Sequence, residues 1–292
     1  MLEKKRSIFD YVNFTVLLVL TLIMAFPIYY VFIISIGDYR EIVTADVFLF
    51  PKTIDLSAYK SIFEASRISN SFKISVIVTV FGTALGMIIS VTMAYALSKT
   101  RVPGMKYAFI FIVITMFFSG GTIPYFMTIK ALGLIDKVAV MIIPTCVSVF
   151  YIIVLKNNFA TIPASLEESA RIDGANDIVI LFRIVLPTSK PILATVALYY
   201  AVGRWNEWWH AMLFVNDTTK QPLQIVLREV LFNFNQMKSA IGASLAQSST
   251  TTLYSRSLQM ATVIVATLPI MLIYPFAQKY FASGVMVGAV KE

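Results

Sequence analysis

The chain of 292 residues is 58% hydrophobic and only 14% charged, and its mean hydropathy is +0.78. This composition excludes an ordinary soluble domain and indicates an integral membrane protein. The single cysteine, Cys146, and the single histidine, His210, exclude a disulfide framework and multi-Cys or multi-His metal sites, so we expect no bound metal. The net charge of +8 is scattered along the chain, which favours contact with anionic lipid over nucleic-acid binding.

Six apolar stretches are long enough to cross a bilayer as helices, which takes ~20 residues each. They cover about 12–36, 72–97, 107–129, 138–156, 191–214 and 258–280. The sequence therefore predicts an all-α polytopic membrane protein with six transmembrane helices, in which residues 1–292 form a single transmembrane domain.

The first stretch follows the basic residues 4–6 and in that respect resembles a secretory signal. It is too long for the apolar part of a signal and lacks a clear small-residue cleavage site, so we interpret it as a retained anchor. Basic residues divide nearly evenly between the two sides, but short loops dominate the positive-inside rule. The basic clusters at 4–6 and 99–106 then place both termini in the cytoplasm, with an inner loop at about 157–190 and an outer loop at about 215–257.

The inner loop contains a charged segment that is unusual in such an apolar chain. Ser165 followed by Glu168 is typical of a capping box at a helix start, and Gly174 suits a left-handed helix stop. The resulting helix is only ~14 Å long, which is marginal in water. These residues alone allow a helix that rests on lipid headgroups or one that docks on a partner. After it, Asn176 or Asp177 can cap a second, apolar helix.

The fifth stretch carries ionisable residues near its middle, where they are costly unless they face a cavity or one another. Arg204 and Glu207 are three residues apart and can pair within the bundle. The alternative is a substrate pathway, in which aromatic rings cover the apolar faces of a sugar and an amide binds its hydroxyls. Arg204 and His210 would then favour an anionic sugar. The candidate pathway residues are Arg204, Trp205, Asn206, Glu207, Trp208 and His210.

The chain offers no arrangement that predicts catalysis. The apolar stretches contain no paired acidic, Cys/His or metal-ligand pattern. None of the 12 glycines precedes a lysine, so the phosphate-binding sequence GxxxxGK[ST] is absent. We therefore expect a protein that is not an enzyme and binds no cofactor itself, and any energy from ATP must come from another chain.

The segment from Glu168 to Pro187 resembles a family signature. Glu168-Ser169-Ala170, then Gly174 after three residues and Ile184-Val-Leu186-Pro187 after nine more, is similar to the EAA-x3-G-x9-I-x-LP signature of ABC importer permeases, with Ser169 in place of the central alanine. This resemblance implies a type I ABC importer permease fold, in which the short helix is a cytoplasmic coupling helix docked on the ATPase. It assigns that coupling role to Glu168, Ala170, Asp173, Gly174, Ile184, Leu186 and Pro187.

Further resemblances point to a carbohydrate branch of this family. Trp205-Asn206 looks like the WN pair of carbohydrate permeases, and residues 284–291 are similar to the terminal G-x3-GAVKG of the maltose-type branch, with Glu292 in place of the last glycine. Residues 122–135 resemble an oligosaccharide branch that includes alginate importers. The resemblance implies import of an oligosaccharide, with acidic ones such as alginate fragments among the candidates.

The same resemblance implies a set of partners in a bacterial cell membrane. These are a second homologous permease subunit, two ATPase subunits that bind ATP and Mg, and an extracytoplasmic solute-binding protein that the outer loop near 240–256 would reach. The competing hypothesis is an ion-coupled secondary transporter or channel that uses Arg204 and Glu207 as its ion site.

Overall fold

The computed structural model describes residues 8–38, 41–42, 49–64, 66–99, 102–241 and 256–275. In this part of the chain the regular structure is helical, and the only β pairing is an isolated antiparallel bridge between Gly37 and Ile54. The predicted all-α class is therefore confirmed. Several sequence predictions concern segments outside the described residues: the basic cluster at 4–6, the outer loop from 242 to 255 and the tail at 276–292.

The α-helices of the described part of the chain differ widely in length. In chain order they are α1 (Ile8–Ile36), α2 (Ser57–Glu64), α3 (Ser66–Ser98), α4 (Met105–Phe117), α5 (Thr122–Ala131), α6 (Val149–Phe159), α7 (Ala164–Ile172), α8 (Asp177–Thr188), α9 (Lys190–Trp205), α10 (Trp209–Phe214), α11 (Leu223–Ile241) and α12 (Arg256–Pro275). Two 3-10 turns lie at Val138–Met141 and Thr218–Lys220, and α8 contains the π-helical segment Leu181–Val185.

Three helices, α1, α3 and α12, are each long and apolar enough to cross a membrane. They lie in the first, second and sixth predicted stretches. Three further pairs reach that length only together and are sharply bent: α4 with α5 by 116°, α6 with α7 by 75°, and α8 with α9 by 87°. By length and composition, the described part of the chain thus holds up to six spans if each bent pair counts as one, although α7 and α8 fall in the predicted inner loop.

The third and fifth predicted stretches are interrupted rather than continuous. In the third, the chain turns between α4 and α5, where Gly121 adopts a φ of 83° that glycine tolerates best. In the fifth, α9 ends at Trp205 and α10 begins only at Trp209. Hydropathy does not detect these breaks, because it reports how apolar a segment is and not whether its backbone stays helical.

The fourth predicted stretch departs furthest from a continuous helix. After the 3-10 turn at Val138–Met141, the chain runs irregularly to Ser148 and only then enters α6. Pro144 lies within this irregular segment. Proline has no N–H to donate and disfavours helical geometry at the residue before it, so a helix cannot run through this point undisturbed.

Two contacts between loops agree with the predicted order of sides. Lys99 forms an ion pair with Glu167, and both residues belong to predicted inner loops. Asp136 accepts hydrogen bonds from the backbone N–H groups of Asn216 and Asp217, and all three belong to predicted outer loops. The contacts support the alternation of the spans, whereas the side that faces the cytoplasm stays a prediction.

The contacts divide the chain into two compact units. They comprise residues 1–69 with 227–268 and residues 70–226 with 269–292. In the first unit, Ile34 of α1 and Ile62 of α2 belong to two small apolar clusters. In the second unit, two larger clusters surround Leu155 of α6 and Phe214 of α10. All of the candidate functional residues described below lie in the second unit.

Candidate functional site

The predicted coupling helix is present as α7, but it begins differently from the prediction. Its N-cap is Pro163, which makes no side-chain capping bond, and Ser165 lies inside the first turn. The capping box of Ser165 with Glu168 is therefore not formed. Pro163 explains the earlier start, because its fixed φ of −57° leads the chain directly into a helix.

The end of α7 follows the prediction. Gly174 has a φ of 83°, and its N–H donates to the carbonyl of Arg171 at 3.0 Å. The N–H of Ala175 donates to the carbonyl of Ala170 at 2.9 Å, which completes a Schellman stop. Asn176 then caps α8, because its Oδ1 accepts from the N–H of Val179 at 2.9 Å. The left-handed glycine and the Asn176 cap are confirmed.

The predicted coupling residues divide between an exposed side and a packed side. Glu168, Asp173, Gly174 and Pro187 are exposed, and Ile172, at 87% exposure, adds an apolar side chain to that surface. In contrast, half-buried side chains join the core around Leu155. These are Ala170, Ile184 and Leu186. The arrangement gives a rigidly anchored helix with a mixed acidic and apolar outer face, which suits a docking element.

An ion pair ties α7 to the end of α3. Lys99 donates to both carboxylate oxygens of Glu167, and the side chains are only 21% and 17% exposed. The Lys99 ammonium also lies 4.2 Å from the centre of the Tyr95 ring. A cleft of about 540 Å³ runs beside this pair and is also lined by Arg171 and Asp177, which form a second, more exposed ion pair.

The candidate pathway residues do not form one group. Arg204 is only 7% exposed, and its guanidinium donates to the hydroxyl and the carbonyl of Thr145. Glu207 instead accepts from His210, at 2.9 Å from the backbone N–H and 3.1 Å from Nδ1. The predicted Arg204–Glu207 ion pair is not formed. The i, i+3 argument requires a continuous helix, and α9 ends at Trp205 before Glu207 is reached.

His210 lies at the centre of a chain of hydrogen bonds. Its Nδ1 faces Glu207 and its Nε2 lies 2.9 Å from the hydroxyl of Tyr125. Both ring nitrogens are therefore occupied, which fixes the orientation of the imidazole. A neutral ring with its proton on Nδ1 satisfies both contacts, since Nδ1 then donates to the carboxylate and Nε2 accepts from the phenol.

The remaining pathway residues differ in exposure. Trp205 is buried, with its ring edge-on to Phe72 at 5.6 Å between centroids. Asn206 is exposed at the break after α9, and its Oδ1 accepts from the side chain of Gln224 at 3.2 Å. Trp208, in the same break, is 37% exposed. Of the predicted set, only Asn206 and Trp208 present much surface to a ligand.

Next to this break lies an open cleft that the sequence did not predict. It has a volume of about 510 Å³ and lies at the turn between α4 and α5. Its walls combine aromatic rings, hydroxyls and bare glycine backbone, from Ser119, Gly120, Gly121, Thr122, Tyr125 and Trp209. Flat rings beside hydroxyls and accessible backbone suit a carbohydrate. Two residues could have indicated this cleft from the sequence. They are Trp209, the last residue of the WNEWW sequence, and Tyr125 in the 122–135 stretch.

A charged cluster joins two loops that the sequence predicts to lie on the outer side. Asp136 accepts from the N–H of Asp217 at 2.9 Å, and this bond holds the pKa of Asp136 below its ordinary value. Hydrogen bonds from the hydroxyl and N–H of Thr219 lower the pKa of Asp217 to about 2. Lys220 lies 3.1 Å from Asp217, which raises the lysine pKa. The cluster fastens the loop after α5 to the loop after α10.

Comparison with known proteins identifies the family to which this chain belongs. No protein-family model matches the chain. The polygalacturonan/rhamnogalacturonan transport system permease YtcP of Bacillus subtilis (strain 168) is 42% identical, with 98% of this chain and 99% of that protein aligned. The chain belongs to the permease subunits of bacterial carbohydrate ABC importers. Protein LplC of the same organism is 39% identical over 99% of this chain and 96% of its own length.

A solved structure of the same family supports the assignment. The crystal structure of a bacterial ABC transporter involved in the import of the acidic polysaccharide alginate contains a chain that superposes on this permease with a TM-score of 0.84. The two are 36% identical, and the match covers 94% of this chain and 96% of the other. The predicted ABC importer permease is confirmed, and neither relative supports the competing ion-coupled secondary transporter or channel.

Membership of this family has direct consequences. The permease is a multi-pass membrane protein and a transport subunit, and it is not an enzyme. In an ABC importer the permease works with ATPase subunits and with a solute-binding protein, which supply the ATP hydrolysis and the substrate.

Proposed function

We propose that this permease moves fragments of an acidic polysaccharide, built from uronate sugars, into the cytoplasm. The observation that carries this proposal is the agreement between two relatives aligned over nearly the whole chain. One is a permease for polygalacturonan and rhamnogalacturonan, and the other belongs to an importer of the acidic polysaccharide alginate. Polygalacturonan is likewise a polymer of a uronic acid, so both relatives handle carboxylate-bearing chains.

The energy for transport comes from subunits other than this chain. Two ATPase subunits bind ATP and Mg, and a second homologous permease completes the membrane pathway. α7 docks on one ATPase through its exposed face, where Glu168 and Asp173 make polar contacts. Gly174 ends the helix and so fixes the direction in which the chain continues. Closure of the ATPases pulls on α7, and the Lys99–Glu167 ion pair passes the movement to α3.

The substrate reaches the permease from the solute-binding protein on the outer side. Both termini are cytoplasmic in this proposal, so the cleft of Tyr125 and Trp209 lies toward the outer half of the membrane. The ring faces of Tyr125 and Trp209 would hold a sugar, with Asn206 and Trp208 exposed nearby. The Glu207–His210–Tyr125 hydrogen bonds position this wall.

A panel of substrates tests the proposal on the complete importer in proteoliposomes. Uptake is measured for oligogalacturonate, alginate oligomers and neutral maltooligosaccharides. We expect uptake of at least one acidic oligomer and none of the neutral ones.

Trp209→Ala should lower that uptake about tenfold, because stacking on an aromatic ring contributes ~1 kcal/mol or more. Tyr107→Ala, which removes another exposed ring (76% exposed), is the control. Uptake restricted to neutral oligosaccharides would refute the proposal.

A further inference from the structure

The irregular segment at 142–148 leaves backbone groups that a helix would satisfy. In a membrane span, an interrupted helix is tolerated only where neighbouring groups replace its missing hydrogen bonds. Within the segment, the N–H of Cys146 donates to the carbonyl of Ile143 at 3.3 Å, so part of the chain forms a turn. The carbonyls of Thr145 and Cys146 point instead to donors on another helix, α9.

Two residues of α9 reach these carbonyls from one face of that helix. The guanidinium of Arg204 donates to the carbonyl and the hydroxyl of Thr145. The hydroxyl of Tyr200 lies 3.5 Å from the carbonyl of Cys146 and 2.7 Å from the hydroxyl of Ser90 on α3. Residues 200 and 204 are four apart, which places them one above the other on the helix. Together they cover two successive carbonyls.

α3 provides the space for both side chains. A Cβ added at Gly82 would come within 2.9 Å of the Cδ of Arg204, and one added at Gly86 would come within 2.8 Å of the Cε1 of Tyr200. These two glycines are also four apart, so the small residues face the two large ones in register. Gly203 differs, because a Cβ there would have no atom within 4 Å. The close contacts at Gly82 and Gly86 are therefore absent at Gly203.

We propose that Arg204 and Tyr200 are positioning residues that hold the irregular segment at 142–148 in place, seated on Gly82 and Gly86. Arg204 acts on the backbone of the fourth span and does not bind the substrate carboxylate. Arg204 is buried, and its guanidinium donates two hydrogen bonds to Thr145. The guanidinium is therefore oriented toward the protein and not toward a ligand. The role does not depend on which sugar is carried. It makes the segment a fixed joint between α3, α9 and α6 during the transport cycle.

Cys146 offers a direct reporter for this joint, because it is the single cysteine of the chain and lies within the segment. The assembled importer in native membranes is treated with N-ethylmaleimide, and the modified fraction of Cys146 is followed by mass spectrometry. Arg204→Gln should raise the modification rate about tenfold, since a buried bond to a charged donor is lost. Gly82→Ala should raise the rate in the same direction, because Arg204 must shift.

Two further variants separate positioning from other roles. Arg204→Lys keeps a cation that can donate to Thr145, so it should restore a slow rate. Gly203→Ala adds the same methyl group where there is room and should leave the rate unchanged. Arg204→Gln should also lower uptake of every transported substrate in equal proportion. An unchanged Cys146 rate in Arg204→Gln and Gly82→Ala, or a loss of uptake confined to acidic oligomers, would overturn the inference.

Discussion

At the scale of single residues, two glycines allow a matched test of the predicted coupling role. Gly174 and Gly133 both have a positive φ, 83° and 64°, and for neither would an added Cβ meet an atom within 4 Å. Replacing either glycine with a larger residue would therefore strain the backbone and would not cause a steric clash at Cβ. The two lie in loops predicted to be on opposite sides of the membrane, so they form a matched pair for testing where the ATPase docks.

Gly174→Val should abolish docking on the ATPase, because a β-branched residue resists the left-handed conformation that ends α7. The strain costs ~1–2 kcal/mol or more. Gly133→Val should carry a similar strain and spare the docking. Co-purification of the ATPase with each variant, at equal membrane insertion, measures the effect. Full ATPase recovery with Gly174→Val would show that α7 is not the coupling element.

The cluster of Asp136, Asp217 and Lys220 predicts a dependence of stability on pH. The pKa of Asp217 is lowered to about 2, against an unfolded value of ~3.9. A lowered pKa means that the ionised carboxylate stabilises the fold above the unfolded pKa, and that this contribution is lost as the pH falls toward the folded pKa. We therefore expect acid destabilisation of wild type between about pH 4 and 2.

The replacement Asp217→Asn isolates this contribution. It cannot ionise, so its thermal unfolding temperature in detergent should change less with pH than that of wild type over the same interval. Thermal unfolding followed by tryptophan fluorescence at several pH values measures the difference. Parallel pH profiles for the two proteins would show that the charged cluster does not stabilise the fold.

At the scale of helices, the sequence predicted the long elements, and prolines such as Pro144 indicated kinks, but the extent of the interruptions was not predicted. α1 and α3 follow from unbroken apolar runs. The breaks near Pro144 and Gly121 depend on donors and on space supplied by other helices, as Arg204 does for Thr145. Such partners are distant in sequence, so hydropathy and spacing cannot reveal them. The same limit explains why Arg204 was paired with Glu207 in the sequence prediction.

The segment proposed for coupling was more predictable because its signals are local. The Gly174 stop and the Asn176 cap depend on residues within one turn of each other. α7 starts earlier than predicted, because the fixed φ of Pro163 leads into the helix before Ser165 can act as a cap. The cleft of Trp209 and Tyr125 was missed, since residues 84 positions apart meet only in the folded bundle.

The connection between α7 and α3 gives a prediction at this scale. Lys99→Glu places two acidic groups together in a partly buried site and should uncouple ATP hydrolysis from uptake. The double variant Lys99→Glu with Glu167→Lys restores opposite charges and should recover coupling, with an interaction free energy of ~1 kcal/mol. The exposed pair Arg171 and Asp177, inverted in the same way, serves as the control pair.

The ratio of sugar imported to ATP hydrolysed, in proteoliposomes, measures this coupling. Additive losses in the single and double variants would show that the Lys99–Glu167 contact does not transmit movement. Recovery in the double variant alone would establish the contact as part of the path from the ATPase to the membrane.

At the scale of the whole molecule, the chain depends on separate ATPase subunits for its energy. It lacks the GxxxxGK[ST] sequence that holds a nucleotide phosphate, and its family relies on separate ATPase subunits. The charged segment of α7, exposed on one side and anchored in the core on the other, is the place where energy from those subunits would enter. The irregular segment at 142–148 and the cleft of Tyr125 and Trp209 then lie along the spans that must move during transport.

The most direct test of this account is ATP-dependent uptake of an acidic oligosaccharide by the reconstituted importer. We predict that uptake requires ATP together with the solute-binding protein, and that Gly174→Val stops it while the complex of the two permeases remains assembled. Uptake that continues without ATP and follows an imposed ion gradient would contradict the account.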